Sequence, residues 1–159
     1  MVFPDFEEFI ACLNAEGVRF MVVGAYAVGF HGHPRATKDL DVLIEPEREN
    51  ARRMLRALRK FLGTARGITE TKLTNPRTLI VLGVAPIRID ILTSISGVSS
   101  FGAAYRRRAR GALGDVRASY IGLRDLLIAK RASGRTQDLA DVEALENLEK
   151  RATIAKRKS

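Results

Sequence analysis

Two carboxylates alternate with apolar residues in the run Asp39-Leu40-Asp41-Val42-Leu43-Ile44. Successive side chains of an extended strand point to opposite faces, so Asp39 and Asp41 are expected to share one face, about 6 to 7 Å apart, while Leu40, Val42 and Ile44 enter the core. The motif itself carries no fixed counter-charge, and like charges this close raise one carboxyl pKa unless a cation lies between the oxygens. Magnesium suits such a pair, because it prefers hard oxygen ligands and binds one or two carboxylates together with substrate phosphates. The run Ile87-Arg88-Ile89-Asp90-Ile91 repeats the pattern, with three isoleucines expected in the core and Arg88 and Asp90 on the other face. If the two strands pair, Asp90 joins Asp39 and Asp41 in the acidic triad that two-metal phosphoryl or nucleotidyl transfer requires. The competing reading is of ordinary strand-end acids paired with Arg35, Lys38 or Arg88.

Gly24 and Ala25 lie where a short β-branched and aromatic run, Arg19 to Val23, gives way to a helical one. Backbone N–H groups at such a junction attract phosphate, although a glycine there also serves simply as a turn. His31 and His33 flank Gly32, a weak zinc set without nearby cysteine; a loop role near phosphate and plain helix termination are the alternatives. Lys130 extends the Leu123, Leu126, Leu127 stripe by one turn, so its ammonium either reaches towards a triphosphate or snorkels at the core edge. Arg135 and Asp138 are spaced to form an ion pair.

The elements that must position these residues follow from periodicity. Phe6, Phe9, Ile10 and Leu13 predict an amphipathic helix over Phe6 to Ala15, ended by Gly17. A strand over Arg19 to Val23, a helix from Ala25 to about Phe30 and a strand over Asp39 to Ile44 follow, Pro46 ending the last. Ala51, Met54, Leu55, Leu58 and Leu62 predict a long helix from Glu47 to about Leu62. Leu79 to Leu82 and Ile87 to Leu92 are expected as a hairpin turning at Gly83 to Pro86, giving a four-stranded mixed sheet, with Val116 to Ile121 as a short edge strand. Two helices complete the chain, the second carrying Leu139, Val142, Leu145 and Leu148, with Thr136 as its cap and Asp138 in its first turn. Gly63 to Asn75 has no clear pattern and is expected as a mobile loop; the basic residues from about Thr153 are expected as a disordered tail.

The 159 residues, 46% of them hydrophobic, suit one core. The expected organisation is one domain over residues 1–152, with a core at about 19–121, a helical part at about 122–150 and a basic tail at 153–159. Cys12 is the only cysteine, which excludes an internal disulfide and fits a reducing cytosol. The N-terminus opens with Asp5, Glu7 and Glu8 and does not read as a signal peptide, and no apolar run is long enough to span a membrane. The net charge of +9 favours polyanionic partners. Much of it lies in the cluster Arg106, Arg107, Arg108, Arg110 and in the tail Lys156, Arg157, Lys158. These runs are read either as salt-dependent contacts to RNA or as solvated faces and ends.

Taken together, Gly24-Ala25 after a strand, His31-Gly32 after a helix, then Arg35, Thr37, Asp39 and Asp41 in GHPRATKDLDVLI and the later RIDIL with Asp90 resemble the minimal nucleotidyltransferases of the DNA polymerase beta superfamily. The branch they look closest to contains the nucleotidyltransferase toxins of abortive-infection and toxin–antitoxin systems. LRDLLIAKRASGRTQDLADVEAL resembles that branch's helical part, with Lys130, Arg135 and Asp138 in matching places, and the likeness spans about Arg19 to Leu145. It implies an α/β (α+β) fold, a mixed sheet of four to five strands flanked by helices with further helices at the C-terminus. It implies two magnesium ions held by Asp39, Asp41 and Asp90, and a nucleoside triphosphate such as ATP held by Gly24, Ala25, Arg35, Thr37 and Lys130. The implied acceptor is a hydroxyl of RNA (tRNA included), protein or a small molecule, and an antitoxin partner is implied as well. Ala25 departs from the usual Gly-Ser or Gly-Gly turn, leaving no hydroxyl to touch phosphate. The rival readings are a nucleotide-binding regulatory module with little turnover and a basic RNA-binding domain, the latter short of stacking rings at 6% aromatic residues.

Overall fold

The computed structural model describes residues 2–84 and 87–159. Helix α1, Pro4–Ala15, starts with proline in its first turn and buries Phe6, Phe9, Ile10 and Leu13, the predicted stripe. Gly17, at φ +67°, takes the left-handed turn that sends the chain into β1, Phe20–Val23. Helix α2, Gly24–Phe30, follows without a linker, and β2 occupies Asp39–Ile44. Helix α3, Arg48–Leu62, is capped by the Glu47 carboxylate, which accepts from the backbone N–H groups of Glu49 and Asn50, and ends at Gly63 in the left-handed region.

The stretch expected as a mobile loop instead holds a short helix, α4, Glu70–Thr74. Thr69 caps it by accepting from the Lys72 N–H, and the buried Leu73 anchors it. A five-residue helix is too short to register as a periodic pattern. Strands β3, Leu79–Val84, and β4, Ile87–Leu92, pair antiparallel as expected. Gly83 and Val84 belong to β3, whereas Ala85 and Pro86 of the predicted turn lie outside the described residues.

Helix α5, Phe101–Arg106, leads into β5, Ala109–Leu113, and β6, Val116–Tyr120. Among the described residues the sheet therefore has six strands in the order β3-β4-β2-β1-β6-β5, and β6, expected at the edge, lies inside it. β1 runs antiparallel to β2 and parallel to β6; β2 runs parallel to β4. The outer strand β5 carries no β-branched residue and includes Gly111, where a Cβ would come within 2.4 Å of the Phe30 ring. That ring stacks on Tyr120 with centroids 4.1 Å apart.

Helix α6, Leu123–Ser133, ends at the left-handed Gly134, and α7 spans Thr136–Lys158. Arg135 occupies the cap position, and no side chain caps the helix, so Thr136 is its first residue and not its cap. The expected disordered tail is helical to Lys158, because nothing after Gly134 breaks the helix and Ala, Lys, Arg and Glu favour it. Buried Asn50 ties α3 to the strands, donating to Arg19 O and Glu45 O at 3.0 Å and accepting from the Arg19 N–H at 2.8 Å. Among the described residues no helix is long and apolar enough to cross a membrane.

Candidate active site

Alternation along β2 places Leu40, Val42 and Ile44 fully in the core and leaves Asp39 and Asp41 on the opposite face. β4 behaves alike at Ile89 and Ile91, but Ile87, expected in the core, is 36% exposed because it opens the strand beside the exposed Val84. The parallel register sets Asp41 directly beside Asp90 and Asp39 beside Arg88. The carboxylates of two strands thus meet through their backbone pairing.

The electrostatics of that meeting are unequal. Burial pushes the Asp41 carboxyl up to about 7, with the neighbouring charges of Asp90 and Asp39 adding to it and Arg88 opposing. Asp90 is buried; its Oδ2 accepts from Arg88 at 3.1 Å, while its Oδ1 is buried without a partner. Asp39 is more exposed and lies 3.7 Å from the Arg88 guanidinium. Of the three counter-ions weighed from sequence, Arg88 is the one that pairs with these acids. Among the described residues no three His, Cys, Asp or Glu side chains form a complete metal centre by themselves. The orphaned Asp90 Oδ1 and the buried Asp41 carboxyl beside it are nevertheless hard oxygen donors, so the residues fit a magnesium ion that takes its remaining ligands from phosphate.

Gly24 closes the cluster from the first residue of α2, directly after β1. Its φ is +66°, and a Cβ there would stand 2.1 Å from Asp41 Oδ2. Glycine is required twice over, by the backbone conformation and by the carboxylate pressed against it. Asp39, Asp41, Asp90, Arg88 and Gly24 line a cavity of about 570 Å³, whose far wall carries Lys130 and Arg135.

The remaining predicted residues are distributed as follows. Lys130 is buried and donates to Asp138 Oδ1 at 3.1 Å and Asp141 Oδ2 at 2.9 Å, so it reaches the cavity wall with its charge already shared. Arg35 forks onto Asp141 at 3.2 and 3.1 Å, away from the cavity lining. Thr37 Oγ1 accepts from the Asp39 N–H at 3.2 Å and so fixes the start of β2. Ala25 follows Gly24 in α2 but is absent from the lining. His31 Nε2 lies 2.7 Å from Ile121 O, pinning the end of α2 to the chain after β6, a structural role. Arg135 and Asp138 form the expected ion pair at 2.8 Å.

Asp141 and the cavity serines Ser94 and Ser96 were not foreseen. Asp141 is fully buried and gathers Arg35, Lys130 and Gln137. Its signal was available, since Asp138 and Asp141 are three apart and share one helix face. The serines lie two and four residues after RIDIL, beyond Thr93, just past the end of the strand.

A search of curated proteins gave no match. Among solved structures, a Thermotoga maritima protein provisionally described as a nucleotidyltransferase is similar over 96% of both chains, at 15% identity and a TM-score of 0.54, a likeness of fold. A family model described as "nucleotidyl transferase of unknown function" matches residues 2–158. With that match over nearly its whole length, and with the acidic strand pair such transfer needs, the chain belongs to this nucleotidyl transferase family.

Proposed function

We propose that this chain moves a nucleotidyl group from a nucleoside triphosphate to a hydroxyl of RNA, protein or a small molecule, with magnesium held by Asp39, Asp41 and Asp90. The observation that carries the reading is the register partnership of Asp41 with Asp90 beside a glycine that can be nothing larger. Bound magnesium would offset phosphate charge and polarise the α-phosphate. The acceptor oxygen attacks the α-phosphorus, the bond to the bridging oxygen breaks, pyrophosphate leaves, and the hydroxyl proton passes to the unpartnered Asp90 Oδ1. Gly24, which lines the cavity, lets phosphate approach the backbone, and Lys130 and Arg135 provide positive potential from the cavity wall, whereas Ala25 stands outside it. A toxin–antitoxin setting in the cytoplasm agrees with the resemblance and the lone Cys12.

Incubation with each labelled nucleoside triphosphate, magnesium and bacterial RNA or protein should transfer label to an acceptor, and Asp41→Asn should abolish it. No transfer with any nucleotide and acceptor would defeat the proposal. Arg88 favours a second reading, a nucleotide-binding module with little turnover, because its guanidinium already engages two of the acids. Magnesium-dependent nucleotide binding without label transfer would select that reading.

A further inference from the structure

Among the described residues β3 is the last strand on its side of the sheet and pairs only with β4. The Thr93 N–H donates to Thr78 O and the Arg88 N–H to Lys38 O, both at 3.1 Å, which fixes the alternation of the ladder. Ile80 and Leu82 turn their backbone groups to β4, so Leu79, Val81 and Gly83 aim theirs outward. Sheet edges are normally blunted by charge, proline or short length. This one has none of these over six residues, and it exposes Leu79 by 55%, Val81 by 47% and Val84 by 85%.

Beside the edge lies a cavity of about 610 Å³ with Ile68, Ile80 and Leu82 in its wall and Arg66, Lys72 and Arg77 around it. These three cations are exposed and have no carboxylate partner among the described residues, whereas Arg48, Arg52, Arg53 and Arg56 of the adjoining helix all do. The edge thus combines an unpaired ladder, bare aliphatic side chains and unbalanced positive charge.

We propose that β3 is the docking edge for an extended segment of a partner protein in which acidic and apolar residues alternate. The segment adds a strand to β3. Its apolar side chains cover Leu79 and Val81 on one face, and its carboxylates meet Arg66, Lys72 and Arg77 on the other. A second copy of the chain, at net charge +9, would bring two basic rims together. A nucleic acid would use the cations but not the outward N–H and C=O groups, and no aromatic ring lines the cavity to stack a base. Such a segment would bind whether or not the acidic pocket turns over.

The test titrates the full chain, labelled for amide detection, with a short synthetic peptide alternating valine and glutamate. The control peptide has the same composition with its glutamates in one block. Saturable binding of the alternating peptide alone is expected, with slowed exchange of the Leu79, Val81 and Gly83 amides. Lys72→Glu with Arg77→Glu, both on the surface, should weaken binding about tenfold or more. Val81→Pro removes only an outward donor and should abolish binding; an N-methylated peptide tests the same ladder in the unaltered chain should that variant not fold. The proposal is overturned if neither peptide binds, if both bind equally, or if an oligonucleotide binds at the same cations without protecting the β3 amides. Self-association through β3, lost in Val81→Lys, would place a second copy there and overturn it equally.

Discussion

Asp41 keeps its proton in the folded chain at pH values where the unfolded chain has lost it, since burial, then Asp90 and Asp39, raise its carboxyl from 3.8 to about 7. Between those values the folded state binds more protons than the unfolded state, so the contribution of this group to stability falls as pH rises through the window. The apo protein should therefore melt higher at about pH 5 than at about pH 8, and Asp41→Asn should flatten that difference. The same substitution removes a repelled charge, so at the higher pH the apo melting temperature should hold or rise while the increase caused by magnesium and triphosphate disappears. Melting curves with and without those ligands decide, and a variant that loses apo stability yet keeps the ligand response would make Asp41 structural. Gly24→Ala should act oppositely on the apo protein. A left-handed backbone costs a side-chain-bearing residue about 1–2 kcal/mol, and the new methyl would displace the Asp41 carboxylate. A drop of several degrees in apo melting should accompany loss of magnesium–nucleotide stabilisation, read in the same assay. The shared face of Asp39 and Asp41 was legible in the sequence because a two-residue spacing on a strand determines it, whereas the approach of Asp90 depended on the pairing of β2 with β4. The ties of Arg35 and Lys130 to Asp141 were not, because they depend on α7 reaching back across the molecule, which no local pattern encodes.

The helices α6 and α7 are held together by charge as well as by Leu126, Leu127, Val142 and Leu145. Burial would raise the Asp138 carboxyl, but hydrogen bonds from Arg135 and Lys130, among others, outweigh it and hold the group down to about 2. Its contribution to stability is present above 3.8 and is lost as pH falls towards 2, the acid limb opposite in sign to that of Asp41. Lys130→Met should leave Asp138 and Asp141 buried and short of a partner, costing about 3–5 kcal/mol and moving the acid unfolding midpoint upward. Chemical denaturation as a function of pH measures both effects; a loss below about 1 kcal/mol would show the network to be dispensable. The long helices and the first four strands were legible because their periodicity is strong and glycine or proline marks their ends. β5 was missed because Ala109-Arg110-Gly111-Ala112-Leu113 has neither β-branched residues nor clean alternation, and its pairing with β6 selects the strand instead. The long α7 was cut short at Thr153 because basic residues read as a frayed end, although their helix propensity continues the helix.

At the scale of the molecule, the basic side chains are less available to partners than the sequence suggests, because the structure engages some of them in pairs and ring contacts. Of the arginines clustered at 106–110, Arg107 forks onto the buried Asp125 at 2.9 Å twice, and Arg108 lies 3.8 Å from the Tyr105 ring centroid, which Arg19 also faces at 4.8 Å. Arg106 and Arg110 are exposed, without a carboxylate partner among the described residues, and so remain free to meet a polyanion. The cluster therefore divides into two structural and two electrostatic members, and the two pairs should respond differently to neutralisation. Arg106→Gln with Arg110→Gln should leave melting unchanged, weaken RNA binding and lower the slope of log affinity against log salt by about 1–2, the release expected for two phosphate contacts. Affinity for free nucleotide should not move, since neither residue lines the acidic cavity. Arg107→Gln should instead lower the melting temperature by stranding the Asp125 carboxylate. Salt-dependent binding to a fixed RNA, run beside nucleotide titrations on the same preparations, separates the outcomes. Equal loss of RNA and nucleotide affinity in the Arg106 and Arg110 double variant would mean that the basic surface and the acidic cavity work as one site.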